Sequence, residues 1–298
     1  MNQKNAVGHL SALFTIFLWG TTFISTKILL VGLTPTEILF IRFLLGLAVL
    51  TVACPKRLRI KDRKQELVFA AAGLCGVCLY YLLENIALTF TMASNVGVIT
   101  SVAPFFTAVL AHIFFKNEEK LRVNFFIGFF VAMAGICLIS WSESRLAINP
   151  MGDILAVGAA FSWAIYSLLT RKISTYGYST IQTTRRIFMY GILFMIPSLF
   201  FYDFSFDIHK YLKPEYIFNL VYLGIGASAI CFVTWNYAVK ILGAVRTSVY
   251  IYIIPVITIV TSTLILHEKI TVFSAVGAML TLTGLIISEN RIEFRRRK

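Results

Sequence analysis

The sequence predicts an all-α polytopic membrane protein, with ten transmembrane helices arranged as two inverted five-helix repeats. Three observations carry that class. Hydrophobic residues make up 58% of the 298-residue chain and charged residues only 14%, against roughly a quarter charged in a soluble domain. Apolar runs of about 20 residues, enough to cross roughly 30 Å of hydrocarbon as helix, recur along the whole chain. Finally, residues 1–145 and 146–298 carry one pattern twice, which divides the chain into a first repeat and a second.

The ten segments fall near 10–30, 35–53, 66–88, 92–115, 124–140, 152–173, 180–201, 216–239, 244–266 and 272–289. The first follows only Lys4, exceeds a signal h-region and lacks a small-residue cleavage site, so it reads as a retained span. The second opens at Pro35, where a missing N–H costs least. Connections are mostly a few residues long, which predicts that consecutive helices are antiparallel neighbours. Orientation follows from the basic residues. Nineteen Lys and Arg fall on the side that holds the N-terminus, six of them in "PKRLRIKDRK", against five on the other side. Both termini are therefore expected in the cytoplasm of a plasma-membrane protein.

The repeat begins with "FLWGTTFISTK" (Phe17–Lys27) and "FSWAIYSLLTR" (Phe161–Arg171). Each has a Trp two places after its Phe and a cation eight places after the Trp. At the same offset Gly8 meets Gly152, Thr26 meets Thr170 and Arg42 meets Arg186. With a small drift, Gly73 and Asn85 meet Gly224 and Asn236, Pro104 meets Pro255, and Glu119, Gly128 and Gly135 meet Glu268, Gly277 and Gly284. Five segments per half is an odd number, so the second half enters the membrane from the opposite side. Inverted repeats of this kind build secondary transporters, with the site near the midplane where the halves meet.

These residues carry a resemblance to a known family. "WGTTFISTK" with Pro35 and Arg42, "ALTFTMASNVGVITSVAPFFTAVLAHIFFKNEEK" and their second-half echoes resemble the drug/metabolite transporter superfamily, in its EamA-type branch. The resemblance implies ten-helix carriers, many of which export amino acids and related metabolites. It further implies a central cavity lined by the first, third, fourth, sixth, eighth and ninth segments. One departure is Ala164 in the second half where the first has Gly20.

Several residues are candidates for binding substrate. Trp favours membrane interfaces, yet Trp19 and Trp163 fall about halfway along their segments; they pack between the repeats or wall a cavity. Tyr166 shares the face of Trp163, and Tyr81, Trp235 and Tyr252 add aromatic surface. Asn85 and Asn236 are the paired polar positions. Pro104 and Pro255 free the carbonyls of Thr100 and Ile251, which puts Thr100 and Ser101 beside a packed kink or a wet cavity. Glu84 is an acid on an apolar helix, where it must be paired, protonated or hydrated. Lys27 and Arg42 are its candidate partners, and a proton or ammonium site is its functional reading. Arg42 and Arg186 suit interface anchoring, with binding of a substrate carboxylate as the other reading. The small faces Gly128/Ala132/Gly135 and Gly277/Gly284 suit helix packing or a dimer contact.

Other functions find less in the residues. The net charge of +13 sits between apolar runs and not along one face, which argues against nucleic acid. Cys75 and Cys78 form a C-x-x-C without the context of a redox or metal site. The histidines (His9, His112, His209, His267) make no metal motif, and no catalytic constellation is visible. No Gly-rich filter loop marks a channel. The expected partners are a small-molecule substrate, H+ as coupling ion and the lipid bilayer, with no cofactor or metal, in a monomer or homodimer. A membrane-embedded enzyme or a channel is the alternative to a carrier.

Overall fold

In the computed structural model, the described residues are 3–60, 62–90, 96, 99–115, 123–143, 149–201, 204, 208–266 and 271–289. The Lys27 side chain, the "NEEK" acids and cations, Arg145, Glu268, Lys269 and the C-terminal "RIEFRRRK" lie outside them. The described residues form helices and no strand. The chain is a polytopic membrane protein: six helices are long and apolar enough to span a bilayer, and four shorter apolar helices accompany them.

The helices are α1 (Gln3–Leu29), α2 (Pro35–Ala53), α3 (Arg63–Gly73, Leu74–Leu79 and Tyr80–Phe90), α4 (Ala103–Phe114) and α5 (Val123–Glu143). There follow α6 (Pro150–Ser174), α7 (Thr180–Phe201), α8 (Pro214–Val221, Tyr222–Ile230 and Cys231–Leu242), α9 (Ala244–Ser248, Val249–Ile253 and Ile254–Leu266) and α10 (Val272–Glu289). Local chemistry sets their starts. Thr34 and Glu37 form a capping box ahead of α2, Asp62 caps α3 and Asn149 caps α6. Pro35, Pro150 and Pro214 each occupy a first turn, where no N–H is required.

Pro104 and Pro255 do not bend continuous helices. A turn at Ser101–Val102 precedes α4, and a 3-10 stretch at Val249–Ile253 precedes the last part of α9. Each proline thus lies in the first turn after a break. Two further irregularities are π-helical, Leu74–Leu79 in α3 and Tyr222–Ile230 in α8. The turn is one residue wider there, which releases backbone carbonyls from their usual donors.

The short connections predicted consecutive neighbours, and some consecutive helices do pack, α4 on α5 through Phe105, Phe126 and Phe129 and α9 on α10. The most extensive packings join the two halves: α1 with α8 and α9, α6 with α3 and α4, α2 with α8, α7 with α3, and α5 with α10. The reason is visible in side-chain size. Gly73 lies against the Ile187 and Gly191 backbone of α7, and Gly224 lies against Leu45 and the Arg42 carbonyl of α2. Helices without side chains at the crossing approach closely, and dispersion drives their association where lipid offers no hydrophobic gain. The small faces of α5 and α10 meet each other in the same way. A Cβ on Gly128 would stand 2.5 Å from the Gly284 carbonyl, and one on Gly135 the same distance from that of Gly277. The glycine faces are therefore spent inside the chain, and the dimer contact weighed for them is not available there.

Candidate functional site

The repeated tryptophans converge. Trp19 on α1 and Trp163 on α6 stand edge to face with ring centroids 5.3 Å apart. Trp235 of α8 lies 5.2 Å from Trp19 and 5.9 Å from Trp163. Phe232, one turn before Trp235, contacts both at 5.8 and 6.0 Å. Tyr80 of α3 and Tyr166 of α6 close the group, 4.9 and 5.0 Å from Trp163. The rings fill the space that a cavity was expected to occupy: Trp19 is 9%, Trp163 4% and Trp235 0% exposed. Each such ring pair contributes about 0.5–1.5 kcal/mol beyond its buried area.

The polar atoms of this group are treated unequally. Trp19 Nε1 donates to the Ala227 carbonyl at 2.9 Å, inside the π-helical stretch of α8. In the other half Ser162 Oγ donates to the Cys75 carbonyl at 2.9 Å, inside the π-helical stretch of α3. Trp163 Nε1 and Trp235 Nε1, in contrast, are buried with no hydrogen-bond partner. A buried donor left unmet costs about 1–3 kcal/mol.

A polar network runs from the rings toward the end of the bundle where α1 begins. Tyr166 donates to Asn236 Oδ1 at 2.8 Å, and Asn236 Nδ2 donates to Thr184 Oγ1 at 3.0 Å. Asn236 borders a recess with Thr170, Ser174, Thr180, Thr183 and Lys240. On the opposite side of the rings, Tyr80 donates to Glu84 Oε1 at 3.0 Å. Arg42 is within electrostatic reach of Glu84; it lies 5.0 Å over the Tyr81 ring and its Nε donates to Ser228 Oγ at 3.0 Å. Of the two cations weighed as partners of Glu84, Arg42 is the one that the described residues bring near.

Ion pairs tie the halves beyond the rings. Glu37, 0% exposed, receives Lys210 at 2.9 Å on both oxygens and Tyr211 at 3.1 Å. Near the α1 start, Glu66 of α3 receives Arg186 Nε at 2.7 Å and also the Tyr190 hydroxyl of α7. Arg171 donates to the Lys240 carbonyl at 3.0 Å, and Arg185 to the carbonyls of Cys54 and Lys56.

Of the candidates read from sequence, Trp19, Tyr81, Glu84, Trp163, Tyr166, Trp235 and Asn236 belong to this region. Asn85 is half-buried on α3. Thr100 and Ser101 lie at the break before α4, where Thr100 Oγ1 donates to the Val96 carbonyl at 2.8 Å. Tyr252 is elsewhere: it packs in a second cluster with Phe125 and Phe129. Sequence reasoning missed Phe232, Tyr80, Ser228 and Thr184. Phe232 was findable, since it lies three residues before Trp235 and so on the same face. Tyr80 was findable in the same way, four residues before Glu84; nothing local marked Ser228 and Thr184.

A model described as the EamA-like transporter family matches residues 6–141 and again 150–289. The chain belongs to that family. An "Uncharacterized transporter" of Archaeoglobus fulgidus (strain ATCC 49558 / DSM 4304 / JCM 9628 / NBRC 100126 / VC-16) is 30% identical over 295 residues, covering 97% of this chain and 98% of that one. A protein of Escherichia coli (strain K12) named "Probable amino-acid metabolite efflux pump" is 25% identical, covering 99% and 98%. A solved structure titled "Crystal structure of protein" superposes with a TM-score of 0.79 at 19% identity, over 95% of this chain and 96% of that one. That likeness concerns the fold. This EamA-like chain is a transporter and not an enzyme.

Proposed function

We propose that this chain is an alternating-access carrier that exports an amino acid or a similar small amphipathic metabolite. Its ten spans form two inverted five-helix units, residues 1–145 and 146–298, with both termini in the cytoplasm and a monomer as the working unit. The observation that carries the reading is the reciprocal packing across the halves. Each contact has a counterpart: α1 on α8 answers α6 on α3, α2 on α8 answers α7 on α3, and α1 on α9 answers α6 on α4. Two look-alike units related in this way have two equivalent arrangements, one open to each side, which is the structural requirement for alternating access.

The substrate site lies at Trp19, Trp163 and Trp235, with Tyr81, Glu84, Asn85, Tyr166 and Asn236 around it and Thr100 and Ser101 at its α4 edge. The packed rings describe a closed conformer, and transport parts them. Glu84, with Tyr80 and Arg42 beside it, takes the coupling proton. Amino-acid export is supported by the efflux pump named among the relatives and by a site that offers both π surface and hydrogen-bond donors. The test is counterflow in proteoliposomes preloaded with unlabelled amino acids. Saturable exchange is expected; a flux linear in concentration belongs to a channel and overturns the carrier reading.

A further inference from the structure

The two repeated tryptophans occupy matching positions, yet their indole N–H groups do not share a fate. Trp19 is tied at 2.9 Å to a carbonyl that the π-helical part of α8 releases. The matching carbonyl region of α3 is taken by Ser162 at 2.9 Å. Trp163, one residue on, has a buried donor and no acceptor, and so has Trp235. Ring faces are the remaining acceptors in such a cluster, and a π face is a weak one. Two buried donors from two helices, with ring centroids 5.9 Å apart, each lack the acceptor that an oxygen of a bound molecule would supply.

We propose that Trp163 and Trp235 bind the carboxylate of the transported molecule through their indole N–H groups, while Trp19 is a fixed wall. The assignment rests on the carrier reading above and deepens it. A carboxylate moved into an apolar interior requires converging donors, and hydrogen bonds to an ionised acceptor are the strong ones. Arg42 is buried at 7% exposure and reaches the group through Tyr81 and Tyr80, whose rings are 4.8 Å apart. Glu84 stands on the other side of Tyr80, held by its hydroxyl at 3.0 Å. A molecule with both a carboxylate and a cationic group can present the first to the indoles and the second to Glu84, whose charge Arg42 faces from the Tyr81 side. The asymmetry also gives Trp19 a different role: its hydrogen bond joins α1 to α8 and stays formed while substrate comes and goes.

The probes are the twenty common L-amino acids in counterflow, with the best-carried one compared against its own carboxamide. Wild type is expected to prefer the acid over the amide at least tenfold. Trp163→Phe and Trp235→Phe, which keep an aromatic ring and remove the N–H, reduce that preference about tenfold each. Trp19→Phe removes the hydrogen bond to the Ala227 carbonyl and lowers the melting temperature. Retention of the wild-type preference in both Trp163→Phe and Trp235→Phe overturns the carboxylate assignment while leaving the carrier intact. A wild type that exchanges none of the twenty overturns the amino-acid reading and this inference with it. Should the variants fail to fold, 15N-indole spectra of wild type in nanodiscs decide the matter. The acid is expected to shift the Trp163 and Trp235 signals and not that of Trp19; a shift of Trp19 alone, or none, overturns the proposal.

Discussion

Arg186 of α7 donates to Glu66 of α3 at 2.7 Å, and its sequence counterpart Arg42 of α2 donates to Ser228 of α8 at 3.0 Å. Both arginines cross from one half of the chain to the other, so each is an anchor between halves. They differ in burial: the Arg186 and Glu66 side chains are 32% and 27% exposed, whereas Arg42 is 7% exposed.

Partial exposure limits the Glu66–Arg186 pair to about 1 kcal/mol at most, since water screens it. That is still enough to change a closed–open balance about fivefold. Glu66→Gln is expected to expose Thr184, which is 0% exposed, from the α1-start end of the bundle. The check is the labelling rate of Thr184→Cys in an otherwise cysteine-free protein. An unchanged rate would mean that this pair does not hold the end shut.

Glu84 leads to a prediction about coupling. In wild type, counterflow is expected to respond to an imposed pH gradient. Glu84→Gln keeps a hydrogen-bond acceptor for Tyr80 but has no ionisable group, so the response is lost while exchange at symmetric pH persists. Tyr80→Phe keeps the response and alters its midpoint. A Glu84→Gln protein that still follows the gradient would remove Glu84 from coupling.

Gly76 lies under the buried ring of Tyr166, which an added Cβ would strike. Gly76→Ala is predicted to destabilise the protein by about 1–3 kcal/mol, the usual range for overpacking, and to disturb the Tyr166–Asn236 hydrogen bond. Gly158→Ala is the control, because a Cβ there meets only Leu83 Cδ1 at 3.4 Å. Thermal unfolding of the two variants in detergent measures the difference, and equal melting temperatures would refute the packing argument.

The α5–α10 crossing is internal, so changes there should affect folding and not oligomeric state. Gly128→Leu drives carbon toward the Gly284 carbonyl and the Ser288 backbone, neither of which can retreat as a flexible side chain would. The expected result is loss of folded protein, with whatever remains eluting as wild type does by size-exclusion chromatography with light scattering. A stable variant of altered mass would show this face to be an intermolecular contact.

Much of the architecture was legible in the sequence because a bilayer makes it a local property. A span needs about 20 apolar residues and must satisfy its own backbone. Segment limits such as 35–53, 180–201 and 244–266 therefore agree with the observed helices. The tryptophan repeat and the paired prolines were legible for the same reason, being written in order along the chain. Neighbour relations were legible only in part: α4 packs on α5 and α9 on α10 as the short connections suggested, but the largest crossings interleave the halves. The small residues Gly73, Gly191 and Gly224 decide that, and smallness alone does not name the partner helix.

By itself, then, the sequence determined that this is a helical membrane protein, where its spans lie and that one pattern occurs twice. Only the tertiary structure decided which indole is tied, that Arg42 approaches Glu84 and why Tyr252 sits apart from the tryptophans. Those outcomes depend on groups distant in the chain, above all on a carbonyl that a widened turn of α8 frees for Trp19. Hydrogen bonds at that separation leave no periodic trace in the chain, because each is fixed by how whole helices cross.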